Sequence, residues 1–303
     1  MANIALRDYN QEIEAMINDG RFDEAIAHCL HILKLYPKHI TTYRQLGNAF
    51  LEAKRYDDAL DIFQRLLSAV PDDFIANLGM SIIREDEGNL DAAIWYMERA
   101  FEQKPSNKAI QEELRRLYGR RDRVEPSKIR LTRGALARMY TKGDQIPQAI
   151  AEINAALSED TQRPDLQILL ASVYHQAGKD GEASETCRAL LDKLPDCLVA
   201  NYILVEILEK SGKVDEAKPC REKLQAMEPY EVKVSPQAPV ADQVPADAII
   251  IPKLDITDDQ ISKVISQPAW ASSLGIVASD FLSGQEEIPE WSASVEKPEE
   301  VQE

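Results

Sequence analysis

Between Ile40 and Asp73 the apolar positions fall at helical spacing twice over. Tyr43, Leu46, Gly47 and Phe50 form one stripe, Ala59, Phe63 and Leu66 a second, with Lys54 and Arg55 between them. Asp57 and Asp58 open the second run, where carboxylates suit the positive end of a helix dipole, and Pro71 closes it. The pattern predicts two short helices and a tight turn. Gly47 and Ala59 are small where the helices must touch.

The same pattern recurs with a fixed step. Ala25, Ala59 and Ala93 are 34 residues apart, as are Ala149, Ala183 and Ala217. Pro37, Pro71 and Pro105 keep that step, and so do Pro195 and Pro229. A helical hairpin repeated at this period is the signature of a solenoid, in which each unit buries its apolar face against its neighbours.

With its aromatic, Leu-Gly, aromatic, Ala, aromatic and Pro in order, the chain resembles the tetratricopeptide repeat family from roughly Leu6 to Pro229. The resemblance implies an all-α solenoid of helical hairpins, wound as a right-handed superhelix. About six repeats are expected, in two blocks. Block one (1–119) holds repeats at about 6–39, 40–73 and 74–107 and a capping helix at 108–119. In the first repeat Glu12-Ile13 replaces Leu-Gly, as suits a terminal unit, and in the third Met80-Ser81 does. From Ala93 to Ala149 the step lengthens to 56 residues, and the extra 22 fall near Lys108–Ile129. Residues 120–129 therefore read as a basic joint. Block two (130–231) holds repeats at about 130–163, 164–197 and 198–231.

Beyond Tyr230 the periodicity is lost. Residues 232–303 read as a proline-rich, acidic, largely disordered tail, beginning with a flexible linker at Val232–Ile249. Two short amphipathic segments are expected in it, at 257–267 and 268–284. The second places Trp270, Leu274, Val277 and Phe281 on one helix side, a motif able to dock in a groove.

Net charge is −17, which argues against general nucleic-acid binding. From Pro229 onward there are 4 Lys/Arg against 14 Asp/Glu. The opposite bias lies between Arg115 and Lys142, with ten Lys/Arg against Asp122 and Glu125. That patch is a solvated helix face or a site for an acidic ligand, a nucleic acid or the acidic tail.

The four cysteines lack metal-ligand spacing, and Cys29 and Cys187 occupy the slot of Phe63, as small buried hydrophobes. A reducing cytoplasm is expected. The first residues show no apolar signal core, and no window approaches a membrane span. His28 and His31 sit three apart, which reads as a partly exposed helix face; no metal or cofactor is expected. No phosphate loop, GxSxG, HExxH or GxGxxG is present, so no enzyme is expected.

What the resemblance implies is a binding module whose inner face is lined by the first helix of each hairpin. Projected onto this chain, that face contains Asn10, Glu14, Arg44, Asn48, Arg138, Ser172, Tyr202 and Glu206. A branch of the family grips the carboxyl tails of cytosolic chaperones with Lys, Asn and Arg. The matching places here hold Asn10, Glu14, Gln45, Ile75 and Gly79, then Gly134, Arg138, Leu169, Val199 and Ile203, so that clamp is absent. The expected function is a non-enzymatic scaffold or adaptor that binds a peptide or helix of another protein, modulated by its own tail. The alternatives are a binder of nucleic acid or an acidic ligand through residues 115–142, or a regulatory subunit of an enzyme on another chain.

Overall fold

The computed structural model describes residues 2–235 and 237–255. The tail readings at 257–284, including Trp270, Leu274, Val277 and Phe281, lie outside the described residues. Thirteen α-helices are found among those described: α1 (Leu6–Asn18), α2 (Phe22–Leu35), α3 (Ile40–Glu52), α4 (Tyr56–Ala69), α5 (Phe74–Asp86), α6 (Leu90–Gln103), α7 (Lys108–Asp122), α8 (Arg133–Lys142), α9 (Ile146–Glu159), α10 (Pro164–Gln176), α11 (Asp180–Leu191), α12 (Leu198–Lys210) and α13 (Val214–Met227). Six hairpins result, with α7 standing between the third and the fourth.

One backbone feature marks the repeat more sharply than any side chain. The turn of every hairpin holds a residue at positive φ: Gly20, Lys54, Gly88, Asp144, Gly178 and Gly212. Glycine reaches this left-handed region without steric cost, and it lets the amides after the first helix bond back to its last carbonyls. Lys54 N–H donates to Leu51 O at 2.9 Å and Arg55 N–H to Phe50 O at 2.8 Å.

The described chain divides into two compact units, one holding the residues up to Ala69 together with those from Asp196 on, the other Val70–Pro195. The first unit contains α1–α4, α12 and α13. Its core includes Tyr9, Ile13, Ile26, Leu33, Leu46, Phe50, Ile62 and Phe63, all nearly without solvent contact. Gly47 meets Phe63 of α4: a Cβ at Gly47 would lie 2.5 Å from Phe63 Cε1. Ala59, the small residue expected at this helix contact, is fully buried one turn earlier on α4.

The same unit contains short 3-10 turns at Pro229–Lys233, Ala241–Gln243 and Ala246–Ala248 and two strands, β1 (Asn3–Ala5) and β2 (Ile250–Pro252). The strands pair antiparallel, with Ile4 opposite Ile251. Leu6 N–H extends the pairing to Ile249 O at 3.0 Å, and Lys253 N–H to Ala2 O at 2.8 Å. This corrects the flexible-linker reading of Val232–Ile249. Ala241, Val244, Ile249 and Ile251 are buried, and that apolar burial holds a proline-rich stretch without helical periodicity.

The second unit contains α5–α11. Asp73, Asn89, Asn107 and Thr132 cap α5, α6, α7 and α8 through side-chain oxygens. One apolar cluster joins Met97 and Phe101 of α6, Ile110, Leu114 and Leu117 of α7, and Ala135 of α8. A second joins Ala149 and Ile153 of α9 to Leu166, Leu170 and Val173 of α10. The segment 120–129, expected as a joint, lies within this unit, and Arg115 Nε donates to Pro126 O across it at 2.8 Å.

Candidate functional site

In the first unit, a groove of about 230 Å³ lies beside α1, bounded by the start of α3 and the turns at 229–233 and 241–243. Two residues expected on the binding face, Asn10 and Glu14, line it. Glu14 is exposed. Asn10 is buried and committed inside: its Nδ2 donates to Leu6 O at 2.8 Å, and its Oδ1 accepts from Thr42 Oγ1 at 3.1 Å. Gln45 Nε2 donates to Asn10 O at 2.7 Å, while Gln45 Oε1 is buried with no hydrogen-bond partner among the described residues. His39, only 3% exposed, sets its Nδ1 2.8 Å from Thr42 Oγ1. Burial, and then the nearby Arg44 charge, push its pKa down to about 4, so the ring is neutral at pH 7.

The C-terminal segment supplies the other wall with Glu228, Tyr230 and Asp242. Burial raises the Glu228 carboxyl, against the Tyr230 N–H and the Arg7 charge, which lower it. Arg7 donates to the carbonyls of Val244 and Ala241, and its guanidinium lies 3.8 Å over the Tyr230 ring. Tyr230 OH donates to Ala246 O at 2.8 Å.

Arg44 and Asn48 are half-buried on α3. Tyr202 is 37% exposed on α12. Burial, then Glu206, then Glu231 raise its pKa, and Glu206 also bonds to its hydroxyl. In the second unit Ser172 Oγ donates to Ile168 O at 2.9 Å within its own helix. Arg138 is no free ligand: it is buried and reaches Asp72 at 3.3 Å and Asp165 at 3.4 Å. The physical reason is a buried ionic cluster. Arg163 Nη2 lies 2.6 Å from Glu102 Oε2, and its Nε and Nη2 each lie 2.8 Å from Asp165.

The basic run at Arg115–Lys142 is largely neutralised. Arg115 pairs with Glu125, Arg116 with Glu85 and Glu113, Arg120 with Glu85, Arg121 with Asp91 and Asp122, and Arg133 with Glu152 and Glu159. Counting charges along the run finds Asp122 and Glu125 but misses Glu85, Asp91, Glu152 and Glu159, which lie on neighbouring helices. Of the two histidines expected on a partly exposed face, His31 is half-buried as expected and His28 is not. His28 is buried, with Nδ1 2.6 Å from Tyr9 OH, and His31 Nε2 donates to Pro252 O at 2.8 Å. A cavity of about 390 Å³ beside His28 is larger than the groove, but there Arg21 already pairs with Glu24 and Lys253 with Glu12.

Residues 9–72 match a family described as Tetratricopeptide repeat, and residues 44–108 match a second family of the same description. Tetratricopeptide repeats thus cover residues 9–108 of this chain. It is 25% identical over 144 residues to Superkiller protein 3 of Schizosaccharomyces pombe, covering 48% of this chain and 10% of that protein. It is 30% identical over 110 residues to ER membrane protein complex subunit 2-A of Xenopus laevis, covering 36% and 37%. The chain thus spans only a tenth and about a third of these relatives. Among solved structures, a tetratricopeptide repeat protein from Parabacteroides merdae aligns at 13% identity and TM-score 0.34, over 73% of this chain and 92% of that one. MamA AMB-1 aligns at 17% identity and TM-score 0.29, over 61% and 96%. Tetratricopeptide repeats in general form protein-interaction scaffolds, typically without chemistry of their own. No helix among the described residues is long and apolar enough to cross a membrane.

Proposed function

We propose that the protein is a non-enzymatic adaptor that holds a segment of a partner protein against the first helices of its hairpins. The observation that supports this most is in the first unit. There the half-buried Arg44 and Asn48 lie one turn apart on α3, and the groove beside α1 is lined by Glu14 and Asn10. Side chains so placed offer hydrogen bonds that the fold does not consume at Glu14, and a concave seat for a partner side chain. The basic run at 115–142 favours the nucleic-acid reading less, because six of its ten cations pair with carboxylates of the same unit.

The test is site-directed photocross-linking in the source cell. p-Benzoylphenylalanine placed at Glu14 or Asn48 should cross-link one discrete protein, while the same probe at Lys34, exposed on the second helix α2, should not. Equal capture from all three positions, or capture from Lys34 alone, overturns the reading. Repeating the experiment without residues 256–303 asks whether the tail competes: cross-linking should then rise.

A further inference from the structure

The groove beside α1 carries more carboxylate than cationic charge, and its uncharged donors include the Gln11 amide and the Thr41 hydroxyl. Its carboxylates are Glu14, Glu228 and Asp242. Neither Glu14 nor Asp242 has an ion-pair partner among the described residues. Arg7 is the cation of the groove, and both its Nη atoms already donate to the carbonyls of Val244 and Ala241. Gln45 Oε1 is a buried acceptor without a donor, and its orientation is fixed because Nε2 donates to Asn10 O at 2.7 Å.

His39 adds a further acceptor by proton accounting. Asn10 Nδ2 donates to Leu6 O, so its Oδ1 faces Thr42 and takes the single hydroxyl proton of Thr42 at 3.1 Å. Thr42 Oγ1 then has only lone pairs for His39, and His39 Nδ1 must carry the proton of their 2.8 Å bond. Nε2 is left with its lone pair and no partner among the described residues. Gln45 Oε1, sealed from water, is the costlier of the two acceptors to leave without a donor.

An excess of carboxylates beside two acceptors that lack donors suits a cation rich in N–H groups. A guanidinium carries five donors in a planar fork, whereas an ammonium carries three on one point. At about 230 Å³ the space is below the roughly 300–1,000 Å³ usual for small-molecule sites and suits a single side chain. We infer that the groove receives the arginine side chain of a basic segment of the partner protein, Glu14 and Asp242 supplying charge and Gln45 Oε1 and His39 Nε2 the neutral acceptors. This rests on the adaptor reading above and names the partner's chemistry.

The experiment is a side-chain NMR titration of the full chain with N-acetyl-arginine methylamide at pH 7, against the neutral isostere N-acetyl-citrulline methylamide. The arginine probe should shift the His39 ring and Gln45 side-chain amide signals saturably, and the citrulline probe should not. The double substitution Glu14→Gln with Asp242→Asn should weaken binding roughly tenfold or more, about 1.4 kcal/mol. Both sites are exposed, so an unchanged melting temperature is expected and separates lost binding from lost folding. No shift, an equal response to citrulline, or undiminished binding by the folded double variant overturns the inference. Such a failure alongside successful cross-linking from Asn48 removes only the arginine assignment; failure of the cross-linking removes the adaptor reading itself.

Discussion

Phe63 closes the space above Gly47: any Cβ there would come within 2.5 Å of Phe63 Cε1 and 2.8 Å of Cδ1. Both residues are buried where α3 meets α4, and the ring is a rigid neighbour that cannot yield as the far end of a long chain could. Gly47→Ala should therefore overpack the hairpin and cost about 1–3 kcal/mol, seen as a fall in melting temperature. Adding Phe63→Leu should restore part of the loss. An unchanged melting temperature in Gly47→Ala would disprove the contact.

The buried cluster around Glu102 and Arg163 should give the fold an acid limit. Glu102 is 1% exposed, Asp165 3% and Arg163 5%. Burial alone would raise the Asp165 carboxyl, but Arg163, then Arg138 and Arg99, overcome it and hold it well below the usual carboxylate range. A depressed folded-state pKa stabilises fully above the unfolded value, about 3.9, and that stability fades as pH falls from there toward the folded pKa. Asp165→Asn removes one partner of a buried pair and should cost about 3–5 kcal/mol at pH 7. Its urea midpoint should also lose part of the wild-type slope below about pH 4. Parallel slopes in the two proteins would refute the assignment. Gly134→Ala tests the same cluster sterically, since its Cβ would sit 2.2 Å from Glu102 Oε2.

His39 governs a different window. Its pKa falls from 6.5 to about 4 on folding, through burial first and the Arg44 charge second. Above pH 6.5 the ring is neutral in both states and its contribution is complete. Between pH 6.5 and about 4 the unfolded chain takes up a proton that the folded chain refuses, so stability drains away across that interval. The loss is on the order of 3 kcal/mol. His39→Gln, which cannot titrate, should show a smaller drop in urea midpoint between pH 7 and pH 4.5. An equal drop in both proteins would mean that His39 is not the group responsible.

Much of the architecture was legible because a solenoid repeats its local signals. The Ala and Pro positions keep a 34-residue step, and the helices fall in the frame they mark. The site was less legible. His39 occupies the slot in which Asp73 and Asn107 cap their helices, yet its ring makes no cap and turns to Thr42 instead. A histidine among capping residues is the signal that a repeat-by-repeat comparison can show. Glu228, Tyr230 and Asp242 could not be placed this way, because they reach α1 through contacts more than two hundred residues distant in sequence. The ionic cluster hid for the same reason: Glu102 and Arg163 are 61 residues apart and belong to different hairpins.

Arg7 is the residue on which those long-range contacts converge. Its backbone N–H donates to Tyr230 OH at 3.3 Å, its two Nη atoms donate to Val244 and Ala241 carbonyls, and its guanidinium covers the Tyr230 ring. A guanidinium can serve two carbonyls and one ring face at once, because its donors are fixed in a plane. Lysine keeps the charge but has no fork, so it can hold one carbonyl at a time. Arg7→Ala should therefore free the segment 241–252 from α1, and Arg7→Lys should free it partly. Charge-assisted hydrogen bonds contribute about 1.5–3 kcal/mol each. The release should appear as faster amide exchange at Ile249–Lys253, where Leu6, Ala2 and the β1–β2 pairing hold the backbone. The amides of α9 and α10, in the other unit, should exchange at the wild-type rate. Arg7→Lys matching wild type would show that charge alone holds the segment. Arg7→Ala matching wild type would show that β1 and the apolar contacts of Val244 and Ile251 suffice without Arg7.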